Sequence, residues 1–202
     1  MIDYLNTFLL LFAVIDPLGS VPVFLEATKQ FNNAEKRSIA LRASLVAALV
    51  LTFFIIVGQI IIEGMEVTLD AFQISGGIIL FLFALTMIFG EGKPENEKHM
   101  IKDFKKVTVF PIAIPSIASP GAIMAVVLLT DNHIYSITQQ SITTLLMILV
   151  VGLTGLLLVL ARYIQEWIGE QGITVISKIM GLILASYATQ SILSGLKSFF
   201  VI

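Results

Sequence analysis

The sequence contains no cysteine, which excludes disulfides, thiolate nucleophiles and cysteine-ligated metal sites. Charge is also scarce: Asp, Glu, Lys and Arg make up 13% of the chain, against about 25% in a soluble domain. The net charge is -2 and no face is basic, which argues against nucleic acid as a partner. Histidine occurs only at His99 and His133, both in polar stretches, and there is no G-x-S-x-G. Asp16 has no second acid at its depth in an apolar run. Neither a Ser/His site nor an aspartyl dyad can then be assembled in those runs, and no enzyme activity is expected.

What is abundant is apolar surface, at 57% of residues. Runs of about 20 apolar residues recur along nearly the whole chain, the length a helix needs to cross hydrocarbon. The spacing predicts an all-α membrane protein with six transmembrane helices at approximately 4–25, 39–62, 69–90, 107–130, 141–164 and 173–196. Helices are expected because lipid-embedded backbone must satisfy its hydrogen bonds within the segment, and nothing alternates with the period of two that a barrel strand requires. Residues 1–202 then form one transmembrane domain. The opening Met1-Ile2-Asp3-Tyr4 has no positive n-region, so the first run is read as a retained crossing.

Lysine and arginine are distributed asymmetrically. Lys29, Lys36, Arg37, Arg42, Lys93, Lys98, Lys102, Lys105, Lys106, Arg162 and Lys178 fall on one side of the six-span scheme, and only Lys197 on the other. The positive-inside rule places loops 26–38, 91–106 and 165–172 in the cytoplasm and both termini outside. Trp167 falls where interfacial aromatics belong.

The chain also matches itself. Ile74-Ser75-Gly76-Gly77 through Leu85 aligns with Lys178-Ile179-Met180-Gly181 through Thr189, and Asp16-Pro17 lies at nearly the same offset from Ser119-Pro120. Three crossings per half make the repeats antiparallel: about 1–90 and 107–202, joined by the linker 91–106. Five of the six prolines lie in spans one and four. Pro17, Pro22, Pro115 and Pro120 are expected to release the carbonyls of Ala13, Leu18, Pro111 and Ser116 and break both helices. Such breaks must be buried or line water, and they suit a zwitterion or a coupling cation; kinks repaired by neighbouring helices are the alternative.

The expected substrate-binding residues are therefore Asp16, Pro17, Gly19, Ser20, Ser119, Pro120 and Gly121. Asp16 is either a group that titrates or accepts an ammonium, or a carboxyl capping the helix after the break. Gly76, Gly77 and Gly181 are read as helix-packing positions. Gln73, Ser177, Tyr187, Thr189, Gln190, Ser191 and Ser194 either line a path or bond between helices, and Lys178 either snorkels to the interface or pairs with Asp16.

These segments together resemble the MarC-type membrane proteins, whose characterised branch is the SnatA-like small neutral amino acid transporters. The resemblance covers essentially the full length. It rests on Asp16-Pro17-Leu18-Gly19-Ser20-Val21-Pro22 against N/D-P-x-G-x-x-P, on Ile74-Ser75-Gly76-Gly77-Ile78-Ile79-Leu80-Phe81, on Pro111-Ile112-Ala113-Ile114-Pro115 with Pro120-Gly121, and on Met180-Gly181-Leu182-Ile183-Leu184. It implies an inner-membrane protein that moves glycine, alanine or similar solutes, coupled to H⁺ or Na⁺ and without a resident cofactor or metal. The expected partners are the bilayer and the solute, and a homo-oligomer is left open. A non-transporting subunit or assembly factor is the alternative function. Ser20 and Ser119 depart from the family's usual Asn and Gly, both beside the breaks.

Overall fold

The computed structural model describes residues 4–89 and 103–200, and all its regular elements are helical. In chain order they are α1 (Tyr4–Ile15), α2 (Ser20–Ala27), α3 (Asn33–Gly64), α4 (Leu69–Phe89), α5 (Phe104–Val107), an irregular helical segment (Thr108–Ile117), α6 (Pro120–Leu129), α7 (Ile137–Val159) and α8 (Ala161–Phe200). Among the described residues, five stretches are long and apolar enough to cross a membrane: Tyr4–Ala27, Asn33–Gly64, Asp70–Phe89, Ile137–Val159 and Gln171–Phe200. Phe104–Ile117 and Pro120–Leu129, bent 56° from each other, make a sixth if taken as one span.

Several expected boundaries shift. Residues 33–38, read as loop, belong to α3. Asn32 accepts from the Glu35 amide at 3.0 Å while the Glu35 carboxylate accepts from the Asn32 amide at 2.9 Å, so the helix starts well before its apolar run. Residues 165–172, also read as loop, are helical apart from Gly169, whose φ of +76° and ψ of 159° turn the chain inside α8. That backbone region is open essentially only to glycine. The Arg162–Glu166 pair at 2.8 Å supports the short helical piece before it. In the expected linker 91–106, residues 91–102, with Lys93, Lys98, His99 and Lys102, lie outside the described residues. Asp103 caps α5, accepting from the amides of Lys105 and Lys106.

The outer helices divide by side-chain size. On α3, Leu41, Leu45, Leu49, Phe53, Ile56 and Ile60 are exposed, whereas the buried positions are mostly small, Ala40, Ala43, Ser44, Ala47 and Gly58, with Ile39, Leu51 and Gln59 among them. Large residues outward and small ones inward are what a helix in lipid needs, since apolar tails reward no burial and close backbone approach does. The first stretch is far more interior than the two that follow it: 56% of its apolar window is buried, against 22% in α3 and 28% in α4.

The most extensive packing is between α4 and α8, followed by α3 against α7. The α4–α8 contact is reciprocal. A Cβ on Gly77 would lie 2.6 Å from Ile192 Cγ1 and 3.0 Å from the Ala188 carbonyl, and one on Gly181 would lie 3.1 Å from Ile88 Cγ1 and 3.1 Å from the Ala84 carbonyl. Each residue of the first set is 104 positions from its counterpart in the second. Gly195 approaches the Asp70 carbonyl and Ile74, so α4 and α8 run antiparallel. The capping boxes that open α3 (Asn32, Glu35) and α7 (Ser136, Gln139) are separated by the same 104 positions.

The ends of the bundle differ. At one, Phe31 after α2 meets Phe104 edge-on at 6.2 Å, and the Arg42 guanidinium lies 5.2 Å from the same ring. At the other, the end of α3 meets the turn after α6.

Candidate functional site at the helix interruptions

α1 ends at Ile15, and Asp16 just after it adopts a left-handed φ of 48° while its amide still donates to Phe12 O at 3.0 Å. Asp tolerates that region better than most residues. Pro17 follows, lacks an amide hydrogen, and opens a turn that becomes α2 at Ser20. Pro22 does not break the chain a second time, contrary to expectation. It sits in the first turn of α2, where a missing N–H costs little, and the Leu18 carbonyl accepts from the Val21 amide at 3.0 Å.

The Asp16 side chain is 3% exposed. Its Oδ1 accepts from the Gly19 amide at 3.0 Å and from the Ser177 hydroxyl of α8 at 3.3 Å. Asp16 forms no ion pair with Lys178 among the described residues, and Ser177 is its partner from that helix. Oδ2 takes no hydrogen bond from the described residues, which leaves one carboxylate oxygen for a donor brought by a ligand. The carboxylate lies over Gly19, where an added Cβ would come 2.6 Å from Asp16 Cγ and closer still to Oδ2. Gly19→Ala is therefore expected to push the carboxylate off its cap and abolish whatever function Asp16 serves, measured beside Gly152→Ala, whose Cβ meets nothing within 4 Å.

Ser20 extends the cluster to the second half of the chain. Its hydroxyl reaches the Asp16 carbonyl at 3.1 Å and the Ser116 carbonyl at 3.4 Å, and the Ser116 hydroxyl donates to Ser20 Oγ at 3.2 Å. The Ser116 carbonyl is the one Pro120 deprives of its helical partner, so a hydroxyl from the first interruption meets a carbonyl exposed by the second. Ser116 sits after two extended residues, Phe110 (φ -127°, ψ 125°) and Ile114 (φ -131°, ψ 125°), each immediately before a proline. Proline sterically disfavours the helical region for its predecessor, which explains both.

Ser119 resembles Asp16 in local role: its hydroxyl accepts from the Ala122 amide at 3.1 Å and caps α6, with Pro120 as the first helical residue. Its capping bond leads three residues ahead, as that of Asp16 does to Gly19. Gly121 lets α6 approach Leu80 and Phe83 of α4, and Pro120 is exposed on the outer surface. Asp16, Gly19 and Ser20 thus share one polar cluster with Ser116 and Ser177, while Ser119, Pro120 and Gly121 shape the second interruption. The Ser116 hydroxyl had no signal of its own in the sequence beyond its neighbouring prolines.

A second buried polar group escaped the sequence reading. At the far end of α3, Gln59 accepts from the Asn132 amide at 2.7 Å and donates to Asp131 Oδ1 at 3.3 Å. Asp131 is 4% exposed and follows Thr130, the C-cap residue of α6. The only available hint was a glutamine inside an apolar run.

Comparison with known proteins places these features in context. The model of a family described as "MarC family integral membrane protein" matches residues 1–200. A UPF0056 membrane protein of Pyrococcus horikoshii is 34% identical over 205 residues, covering 99% of each chain. The UPF0056 membrane protein of Aquifex aeolicus is 32% identical over 200 residues, covering 96% of this chain and 92% of its own. The UPF0056 inner membrane protein YhgN of Escherichia coli is 32% identical over 203 residues, covering 98% of each. No solved structure matches the chain.

Proposed function

The chain belongs to the MarC family of multi-pass integral membrane proteins, and we propose that it is a secondary transporter of small neutral amino acids whose solute binds at the Asp16 interruption. The observation that carries this reading is the Asp16 cluster itself: a buried carboxylate within a membrane-length apolar stretch, with one oxygen uncommitted, beside a hydroxyl–carbonyl contact between the two halves. A structural cap needs none of the cross-half contacts. The uncommitted oxygen suits the ammonium of an amino acid, and the N-terminal ends of α2 and α6 offer partial positive charge for its carboxylate.

An inverted repeat is part of the same reading. It is supported by the reciprocal Gly77 and Gly181 contacts, the equally spaced capping boxes and the antiparallel α4–α8 pair. A two-fold axis that exchanges antiparallel membrane helices lies across them, hence in the membrane plane. Two such halves can rock about a site at their interface and open it to either side. The positive-inside bias then puts the Phe31–Phe104 end in the cytoplasm and the termini outside.

Proteoliposomes containing the purified chain are expected to accumulate labelled alanine or glycine under an imposed H⁺ or Na⁺ gradient, and empty liposomes are not. A solute that binds should also raise the unfolding temperature; at a hundred times its Kd the stabilisation is about 2.7 kcal/mol. Uptake no greater than in empty liposomes, with no thermal shift across the amino acid panel, would remove the reading.

A further inference from the structure

The α3–α6 contact ends in a polar group that the transport reading leaves unused. Gly58 of α3 lets Val127 of α6 approach so closely that an added Cβ would lie 2.8 Å from Val127 Cγ2. One residue on, Gln59 ties α3 to the turn after α6. Its Oε1 accepts from the Asn132 amide at 2.7 Å, and a backbone N–H can only donate, so the orientation of the amide is fixed. Gln59 Nε2 therefore faces Asp131 Oδ1 at 3.3 Å and His133 Nδ1 at 2.9 Å as a donor to both. In the neutral tautomer that accepts from Gln59, His133 Nδ1 carries no proton and the ring's single proton sits on Nε2, 4.0 Å from the Glu63 carboxylate.

The same imidazole has a second arrangement within reach. His133 Nδ1 lies 3.2 Å from Asp131 Oδ1, a pair that is repulsive while both atoms are acceptors and becomes a charge-assisted hydrogen bond once Nδ1 is protonated. Protonation also sets two donors against each other at the Gln59–His133 contact, so Gln59 must release the ring. The charged groups facing the imidazole are Asp131 from its own turn and Glu63 from α3. Burial, helped by the Asp131 carboxylate, pushes the Tyr135 phenol up, so it stays neutral. The remaining residues around the adjoining cavity of about 40 Å³ are Ile62, Val67, Phe72 and Val127, all apolar.

We propose that Gln59, Asp131, His133 and Glu63 form a proton-operated clasp that holds the end of α6 against α3 when His133 is neutral and releases it when His133 is protonated. Three effects follow protonation, of which the charge-assisted His133–Asp131 bond lies within the turn and ties it to nothing on α3. The new His133–Glu63 attraction spans side chains that are 64% and 55% exposed, and such pairs are worth little. The lost bond leaves Gln59 Nε2 with only its 3.3 Å contact to Asp131 Oδ1, an acceptor it must now share with the protonated ring as well as the His133 amide, so the hold of α3 on the turn weakens. Loss of the Gln59 contact therefore decides the direction, and acid opens the clasp.

The cysteine-free chain allows a direct test that does not depend on transport. Val127→Cys is placed beneath the clasp and Ala47→Cys elsewhere on the buried face of α3. Each is reacted with a water-soluble maleimide in the purified protein, and each rate is divided by that of the same cysteine in unfolded protein at the same pH. Between pH 8 and pH 5 the normalised rate at Val127→Cys should rise about fivefold, with no change at Ala47→Cys. His133→Gln, which retains an acceptor but takes no proton, should stay slow at both pH values. Gln59→Ala should be fast at both. A parent rate that ignores pH, an acid response that survives in His133→Gln, or a rise at both cysteines together would overturn the clasp. So would an acid response that disappears in Glu63→Gln, since the exposed pair would then be the cause.

Discussion

Asp16→Asn is expected to keep the fold and its unfolding temperature close to the parent's while cutting amino acid uptake about a hundredfold, a loss of roughly 2–3 kcal/mol for removing one partner of a buried charged contact. Asparagine is the discriminating replacement because it satisfies every structural demand at this position. It tolerates the left-handed φ of 48°, and its carbonyl oxygen can accept from the Gly19 amide and the Ser177 hydroxyl as Oδ1 does. Only the negative charge is lost. Asp16→Ala removes the cap as well and should lower stability by about 1–2 kcal/mol. If the carboxyl were merely a cap, Asp16→Asn would transport like the parent and Asp16→Ala would be merely less stable. Reconstituted uptake with thermal unfolding on the same three preparations separates the two cases.

The second large effect concerns the α4–α8 seam. Gly77→Val and Gly181→Val should each destabilise the bundle by about 2 kcal/mol or more, because the added atoms meet backbone carbonyls and neighbouring side chains with no room to retreat. The two losses should be similar in size, since Gly77 meets Ala188 and Ile192 as Gly181 meets Ala84 and Ile88. Gly152→Val, in open space on α7, should change little. Denaturant titration of the three variants in micelles measures this. A severe loss at one glycine with none at the other would contradict the proposed inverted repeat.

The spans were legible because lipid imposes a length and a composition that a sequence displays openly. The helix boundaries at Ile15 and Pro120 were legible because Asp-Pro and Ser-Pro inside apolar runs combine a capping side chain with a residue that cannot continue a helix. Pro22 was misjudged because a proline near a helix start looks, in sequence, like one in its interior. Gly169 gave no warning, since its positive φ follows from how α8 turns back onto the bundle. The Gln59–Asp131–His133 group was invisible for a different reason: Gln59 lies 72 and 74 positions from Asp131 and His133, and each alone reads as an ordinary polar residue at the end of a span. Ser116 and Ser177 met Ser20 and Asp16 only once the helices were packed.

The contact between Ser20 and Ser116, with hydroxyls 3.2 Å apart, joins the two interruptions, and replacing both serines with cysteine tests most directly whether they part during transport. In a chain with no other cysteine, mild oxidation should link the pair and stop uptake in proteoliposomes, and a reductant should restore it. Uptake that continues undiminished through a fully formed bridge would show that the two halves never separate there.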